Sequence, residues 1–173
     1  MTAKPLVAVT GASSGIGEAT VRAFSAAGHP VLLMARRIER LEAMRLPNSV
    51  CRQVDVRDRA ILAAAVRDAE VRFIPITRSI ATRSISSMAY PRAFANTSSY
   101  DVRVIVISPR IIETEVLDGV KDPVTLANYR ASKSAIGDGI EAEYVADLIL
   151  GAYNLPQNSL VQEICVTPTR QKY

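Results

Sequence analysis

The sequence lacks several features that would place a protein in a specialised class. No apolar run approaches the roughly 18 residues of a membrane-spanning helix. The first residues pass from one lysine into a strand-like run, without the pattern of a secretory signal. Cys51 and Cys165 lie in apolar runs and are spaced neither for a metal site nor for a disulfide framework. We therefore expect reduced core cysteines in a cytoplasmic protein that binds no membrane.

The charge distribution also lacks a concentrated block. The 173 residues carry a net charge of +4 from scattered arginines, and no lysine-rich stretch is present. This favours a solvated basic surface over a nucleic-acid partner. Hydrophobic residues make up 49% and charged residues 22%, which is typical of a soluble globular protein. The length suits one domain, residues 1–173, with a full hydrophobic core.

The first third of the chain alternates between strand-like and helix-like patterns. Asp58 is a plausible N-cap for the third helix. Strands that alternate with helices predict an α/β fold with a Rossmann-like, doubly wound parallel sheet. The predicted strands are 5–10, 31–35 and 49–55, and the predicted helices are 18–28, 38–46 and 58–70.

A glycine-rich turn, TGASSGIG at residues 10–17, connects the first predicted strand to the first helix. At this place in a doubly wound sheet a dinucleotide binds, because glycines let the backbone approach the pyrophosphate and the helix N-terminus offers free N–H groups. The spacing is Gly11-x-x-x-Gly15-x-Gly17. No lysine follows the last glycine, which argues against a nucleoside-triphosphate P-loop.

With this turn the chain resembles the short-chain dehydrogenases/reductases. The resemblance continues through ARR (35–37), Asp55-Val56, DVRVIVISP (101–109), IETE (112–115), EAEYVADLIL (141–150) and VQEICVTPTRQ (161–171), roughly two-thirds of the chain. It implies that the turn holds the pyrophosphate and adenosine ribose, while two residues after the third strand border the adenine. The implied turn residues are Gly11, Ser13, Ser14, Gly15, Ile16 and Gly17, and the adenine residues are Asp55 and Val56.

Two arginines refine the cofactor prediction. An NAD site usually has an acidic residue after the second strand, whereas this chain has Arg36 and Arg37 there, with Ser13 nearby in the turn. Two guanidinium groups suit a 2′-phosphate dianion. A solvated helix start is the alternative. We interpret the pair as a determinant for NADP(H).

The catalytic part of the family pattern is incomplete. In the family a tyrosine transfers the proton, a lysine one helical turn later lowers its pKa from about 10, and a serine holds the substrate oxygen. The family's Asn-Asn-Ala-Gly turn is missing, and Ser87 is the match to the catalytic serine, with an ordinary strand-end serine as the alternative. Neither Tyr90 nor Tyr100 has a lysine four residues later.

Residues 71–100, where the family has long helices, are predicted to be irregular. TRSIATRSIS repeats TRSI at a period of five, which fits neither strand nor helix. Two explanations stay open. The sequence lacks residues that the whole protein contains, which the regular flanking patterns favour, or the protein is an internally shortened relative.

A tyrosine–lysine pair does occur later, in YRASK at 129–133. Asp122 and Pro123 start a predicted helix that glycines at 137 and 139 end, so Tyr129 and Lys133 share a face. Their position matches the substrate lid, 109–140, instead of the family's catalytic helix, so we interpret them as lid residues.

The lid also contains the resemblance's last two cofactor residues: Pro109, which begins the family's Pro-Gly turn, and Thr114, the threonine that touches the nicotinamide amide. Arg110 replaces the family's glycine there. Together the resemblance implies an NADP(H)-dependent oxidoreductase that acts on a small-molecule carbonyl or secondary alcohol and forms a homo-oligomer. The alternative is a non-catalytic NADP(H)-binding or redox-sensing protein of the same fold.

Overall fold

In the computed structural model the described residues are 4–73, 78–81, 106–109, 112–113, 122–137, 139–156, 158–159, 161 and 163–170. The predicted Ser87 and Thr114, together with Tyr90, Tyr100 and Arg110, lie outside these residues. The chain divides into two compact units, residues 1–84 and 85–173.

The first unit is built on a four-stranded parallel sheet in the order β3-β2-β1-β4. The first three strands and the three helices that follow them agree with the sequence prediction. The strands are β1 (Val7–Thr10), β2 (Val31–Ala35), β3 (Ser49–Gln53) and β4 (Arg78–Ala81), and the helices are α1 (Gly15–Ala26), α2 (Ile38–Ala43) and α3 (Arg59–Arg72).

The strand order places helices on both faces of this sheet. The chain moves outward from β1 through β2 to β3 and then returns past β1 to β4. Because such crossovers are right-handed, the returning helix α3 covers the face opposite α1 and α2. Strands covered on both faces must be apolar throughout, and all five residues of β2 are buried.

The core on the α3 side illustrates this packing. Ala8 of β1 and Leu32 of β2 are at most 3% exposed, and they pack with Ala65 and Ala69 of α3. On α1, Phe24 is fully buried. The α3 helix begins at Asp58 as predicted, since that carboxylate accepts hydrogen bonds from the first-turn amides of Ala60 and Ile61 at 3.0 and 3.1 Å.

Among its described residues, the second unit contains two parallel strand pairs and two helices. The predicted helix around YRASK is confirmed: Asp122 accepts the amide of Thr125 at 3.0 Å, Pro123 occupies the first turn, and Gly137 ends the helix with φ 88°. The elements are β5 (Val106–Pro109) paired with β8 (Glu163–Val166), β6 (Ile112–Glu113) paired with β7 (Ile140–Glu141), α4 (Pro123–Ile136) and α5 (Ala142–Asn154).

Two expectations need correction. Cys51 and Cys165 are free thiols, but Cys165 is exposed, because β8 alternates exposed and half-buried residues and presents this position to solvent. Within 71–100, residues 78–81 form β4, although the TRSI period fits no strand. Parallel pairing with β1 imposes the extended conformation there, and the short repeat does not prevent it.

Candidate functional site: a dinucleotide cradle at the sheet edge

Three strands of the first unit end side by side at one edge of its sheet. The glycine turn follows β1, Arg36 and Arg37 follow β2, and Asp55 follows β3 shortly after its last residue. Since the strands are parallel and adjacent, their carboxyl ends meet at this edge, where ligands bind in open α/β sheets. Ten of the predicted cofactor residues, from Gly11 to Val56, belong to the segments at this edge.

The turn after β1 requires glycine at three positions. Gly11 and Gly15 have φ values of 69° and 54°, in the left-handed region that disfavours side chains. Gly17 is buried, and a Cβ there would lie 2.1 Å from the carbonyl oxygen of Gly11. The absence of a side chain at Gly17 thus allows α1 to start directly against the turn.

The N-terminus of α1 is suited to an anion. Ser14 is its N-cap, with an extended backbone, and its side chain makes no capping bond to the helix amides. The first amides of a helix have no partner within the helix, and its dipole places partial positive charge there. These amides and this charge can therefore bind a phosphate group at the turn.

Arg37 connects the end of β2 to this turn. Its Nη2 donates to Ser13 Oγ at 3.2 Å and to Ser14 Oγ at 3.1 Å. Ser13 is buried, whereas Arg37 is exposed. A guanidinium has five N–H donors and these contacts use two, so a positive group with further donors is held over the turn.

Arg36 lies beside Arg37 and is fixed through its backbone. Its carbonyl oxygen accepts from Gln53 Nε2 at 3.0 Å, which joins the ends of β2 and β3. Its side chain is exposed. Its charge also helps to lower the pKa of Asp55, so the two side chains share one electrostatic environment.

Asp55 is held by Arg57, a residue that sequence reasoning missed. Arg57 Nε lies 3.0 Å from both carboxylate oxygens, Nη2 also donates to Oδ2, and the Arg57 amide donates to Oδ1 at 3.0 Å. Hydrogen bonding to Arg57 is the main cause that lowers the pKa of Asp55 from 3.8 to about 2. Asp55 is therefore anionic at neutral pH. In the sequence, the arginine two residues after Asp55 was the signal that could have predicted this ion pair.

A shallow hollow lies next to this carboxylate. Asp55, Arg57 and Ile61 line it, together with Asp58 and Arg59 at the start of α3. Ile61 is 49% exposed, and Val56 is 45% exposed. Exposed apolar side chains next to a carboxylate can contact the face of a purine while the carboxylate accepts from its edge.

The second unit contains the remaining predicted residues that the structure describes. Pro109 is buried at the end of β5. Tyr129 and Lys133 lie one turn apart on α4, and the Tyr129 hydroxyl donates to the carbonyl oxygen of Ile112 at 3.5 Å. This contact joins α4 to β6 within the unit.

The comparisons with known proteins agree with this architecture. A family model described as short chain dehydrogenase matches residues 5–89, the part of the chain that includes the turn, both arginines and Asp55. Residues 5–89 of the chain thus belong to the short-chain dehydrogenase/reductase family. No helix among the described residues is long and apolar enough to span a membrane.

Curated relatives match over short stretches. The sulfoacetaldehyde reductase of Chromohalobacter salexigens is 44% identical over 66 residues, 35% of this chain and 26% of that protein. The NADP-dependent 3-hydroxy acid dehydrogenase YdfG of Salmonella typhi is 43% identical over 60 residues, 33% of this chain and 24% of that protein. The matches thus span about a quarter of each relative's length.

Solved structures resemble the chain over a longer range. The closed form of serine dehydrogenase complexed with NADP+ is similar with a TM-score of 0.72 over 97% of this chain and 96% of that one, at 21% identity. At this identity the likeness shows the fold. The predicted Rossmann-like α/β class with a parallel sheet is confirmed.

Proposed function

We propose that the protein is an NADP(H)-dependent oxidoreductase that transfers a hydride between the nicotinamide and the carbon of a small-molecule carbonyl or secondary alcohol. The observation that carries the cofactor assignment is the position of Arg37, bonded to Ser13 and Ser14 beside Arg36. The family membership and the relatives named as reductases or dehydrogenases support the reaction class.

The residues at the sheet edge fit the two charged parts of NADP(H). The N-terminus of α1 and the glycine turn would hold the pyrophosphate, because Gly17 keeps the turn and helix in close contact. Arg36 and Arg37 would hold the 2′-phosphate through charge-assisted hydrogen bonds. YdfG is named as NADP-dependent, and the serine dehydrogenase structure contains NADP+, which agrees with this assignment.

The adenine would lie against Asp55 and Val56. The carboxylate would accept a hydrogen bond from the exocyclic amino group of adenine, and Val56 and Ile61 would offer apolar contact to its ring. The bound nicotinamide supplies or accepts the hydride, and Thr114, which follows the turn that Pro109 begins, would contact its amide. We assign Ser87 as a ligand of the substrate oxygen.

A fluorescence titration with NADPH, followed by assays on a panel of aldehydes and ketones, tests this function. Binding in the micromolar range and oxidation of NADPH by at least one carbonyl compound are the expected results. Folded protein that binds no NADPH would contradict the whole proposal. The family resemblance further leads us to propose that the protein is cytoplasmic and forms a homo-oligomer. Sedimentation analysis of the purified protein can test the oligomeric state.

A second candidate is a non-catalytic NADP(H)-binding protein. The observation that favours it is the contact of Tyr129 with Ile112, which engages the one tyrosine with a correctly spaced lysine in the described residues. Binding without turnover across the panel would support this candidate. The intact mass of the natural protein shows whether the sequence lacks residues that the whole protein contains or the protein is an internally shortened relative. A mass above that of 173 residues would show that the sequence lacks a segment, which should contain the catalytic tyrosine and lysine.

A further inference from the structure

The contact between Arg57 and Asp55 is too exposed to matter mainly for stability. The Arg57 side chain is 82% exposed and that of Asp55 34%, and such surface ion pairs contribute little to folding. Its main consequence is geometric. Two side-chain nitrogens and the backbone amide of one residue hold both oxygens of the carboxylate, so its orientation is fixed before a ligand arrives.

The donors of Arg57 take up most of the hydrogen-bond acceptor positions of the Asp55 carboxylate. An ionised carboxylate has about four lone-pair sites. Arg57 supplies three N–H groups, from its amide, Nε and Nη2, and the Nε group is shared between the two oxygens. Each oxygen therefore already accepts two contacts, and a further donor can enter only beside the Nε group that the two oxygens share. The 6-amino group of adenine presents one such hydrogen, whereas the 6-oxo group of hypoxanthine presents an acceptor.

We propose that Arg57 is a positioning residue that holds Asp55 so that the cofactor site selects a 6-amino purine over a 6-oxo purine. This rests on the proposed dinucleotide function, and it adds a role for a residue outside the family motifs. Arg57 acts through Asp55 and need not contact the ligand. Its effect should therefore appear in base selectivity and should be separate from selectivity for the 2′-phosphate.

The test compares the dissociation constants of NADPH and its hypoxanthine analogue, measured by nicotinamide fluorescence. The wild-type protein should prefer NADPH by about tenfold, the range expected for one charge-assisted hydrogen bond. Asp55→Asn should abolish this preference, and Arg57→Ala should reduce it by at least about threefold, because the carboxylate loses its fixed orientation. In the Asp55→Asn background, Arg57→Ala should have no further effect.

Two variants serve as controls. Arg67→Ala removes the same charge from the exposed side of α3, outside the hollow, and should leave the base preference unchanged. Arg57→Lys keeps the charge without the guanidinium fork, so it should restore only part of the preference. A purely electrostatic role would instead give full recovery with lysine and would overturn the positioning role. An unchanged or increased preference in Arg57→Ala would overturn the proposal as well.

The same comparison with NADH and its hypoxanthine analogue separates the two proposals. If replacing Arg36 and Arg37 weakens the binding of NADPH and NADH equally, the NADP(H) assignment fails. The role of Arg57 is then still decided by comparing NADH with its hypoxanthine analogue. If those replacements act as expected and Arg57→Ala has no effect, only the present inference fails. Folded protein that binds neither dinucleotide overturns both.

Discussion

Arg37 and Ser13 are joined by a hydrogen bond of 3.2 Å between Nη2 and Oγ, although 23 residues separate them in the chain. The same nitrogen also donates to Ser14. A guanidinium that reached freely into solvent would lose side-chain entropy when it bound a phosphate. Since Arg37 is already held over the turn, part of that cost is met in the free protein.

Replacing Arg36 or Arg37 should weaken the binding of NADPH much more than the binding of NADH. We expect Arg36→Ala and Arg37→Ala each to weaken NADPH binding by about tenfold, the range for a lost charge-assisted hydrogen bond, with less than about threefold change for NADH. Parallel fluorescence titrations measure this, with Arg67→Ala on the exposed side of α3 as the control for net charge. Equal losses for both cofactors would refute the 2′-phosphate assignment.

Gly17→Ala should destabilise the protein and weaken dinucleotide binding. The added Cβ would lie 2.1 Å from the Gly11 carbonyl oxygen, so the turn and α1 must separate, at a cost of about 1–3 kcal/mol or more. Thermal unfolding followed by circular dichroism measures the loss.

Gly151→Ala is the matched control for this substitution. Gly151 is exposed inside α5, and a Cβ there would meet nothing within 4 Å. Alanine should stabilise the helix by about 0.5–1 kcal/mol. A Gly17→Ala protein as stable as the wild type would show that the turn does not need this close contact.

Acid should destabilise the protein by a small amount through Asp55, because its ion pair with Arg57 is exposed. Its pKa is lowered from 3.8 to about 2 in the folded protein, mainly by hydrogen bonds from Arg57. A lowered pKa in the folded state contributes stability above the unfolded value, and this contribution is lost as the pH falls from about 4 toward about 2. Asp122, whose pKa is also lowered by hydrogen bonds from Thr125, acts in the same direction.

Thermal melts between pH 2 and pH 6 should therefore show a smaller acid-induced decrease in Asp55→Asn than in the wild type. In Arg57→Ala, NMR titration should give an Asp55 pKa closer to 3.8. An Asp55 pKa that is unchanged in this variant would show that Arg57 is not the main cause of the shift.

Tyr129→Phe should leave any carbonyl reductase activity within about twofold of the wild type. The hydroxyl donates to a backbone carbonyl of β6, so its removal should affect the packing of α4 by about 0.5–1.5 kcal/mol and leave proton transfer unaffected. Steady-state kinetics and thermal melts measure the two effects. A large loss of kcat in Tyr129→Phe and also in Lys133→Met would instead assign the proton transfer to this pair.

The elements that the sequence predicted depend on neighbouring residues. Asp58 and Asp122 cap helices because a carboxylate reaches amides two or three residues ahead, and Gly137 ends α4 because its φ is positive. Such short-range patterns gave β1 to β3 and the four helices α1 to α4. They failed at β4, where pairing with β1 outweighs a local repeat, and at Cys165, whose exposure depends on what covers β8.

By itself the sequence determined that strands and helices alternate, that a glycine turn follows β1, and that two arginines follow β2. Only the tertiary structure decided which of these groups touch. The sheet order brings Arg37 to Ser13 and Ser14 and places Gln53 against Arg36. Parallel neighbours are joined through helical crossovers, so the register between their ends is set by packing of the whole sheet and cannot be read from residue spacing.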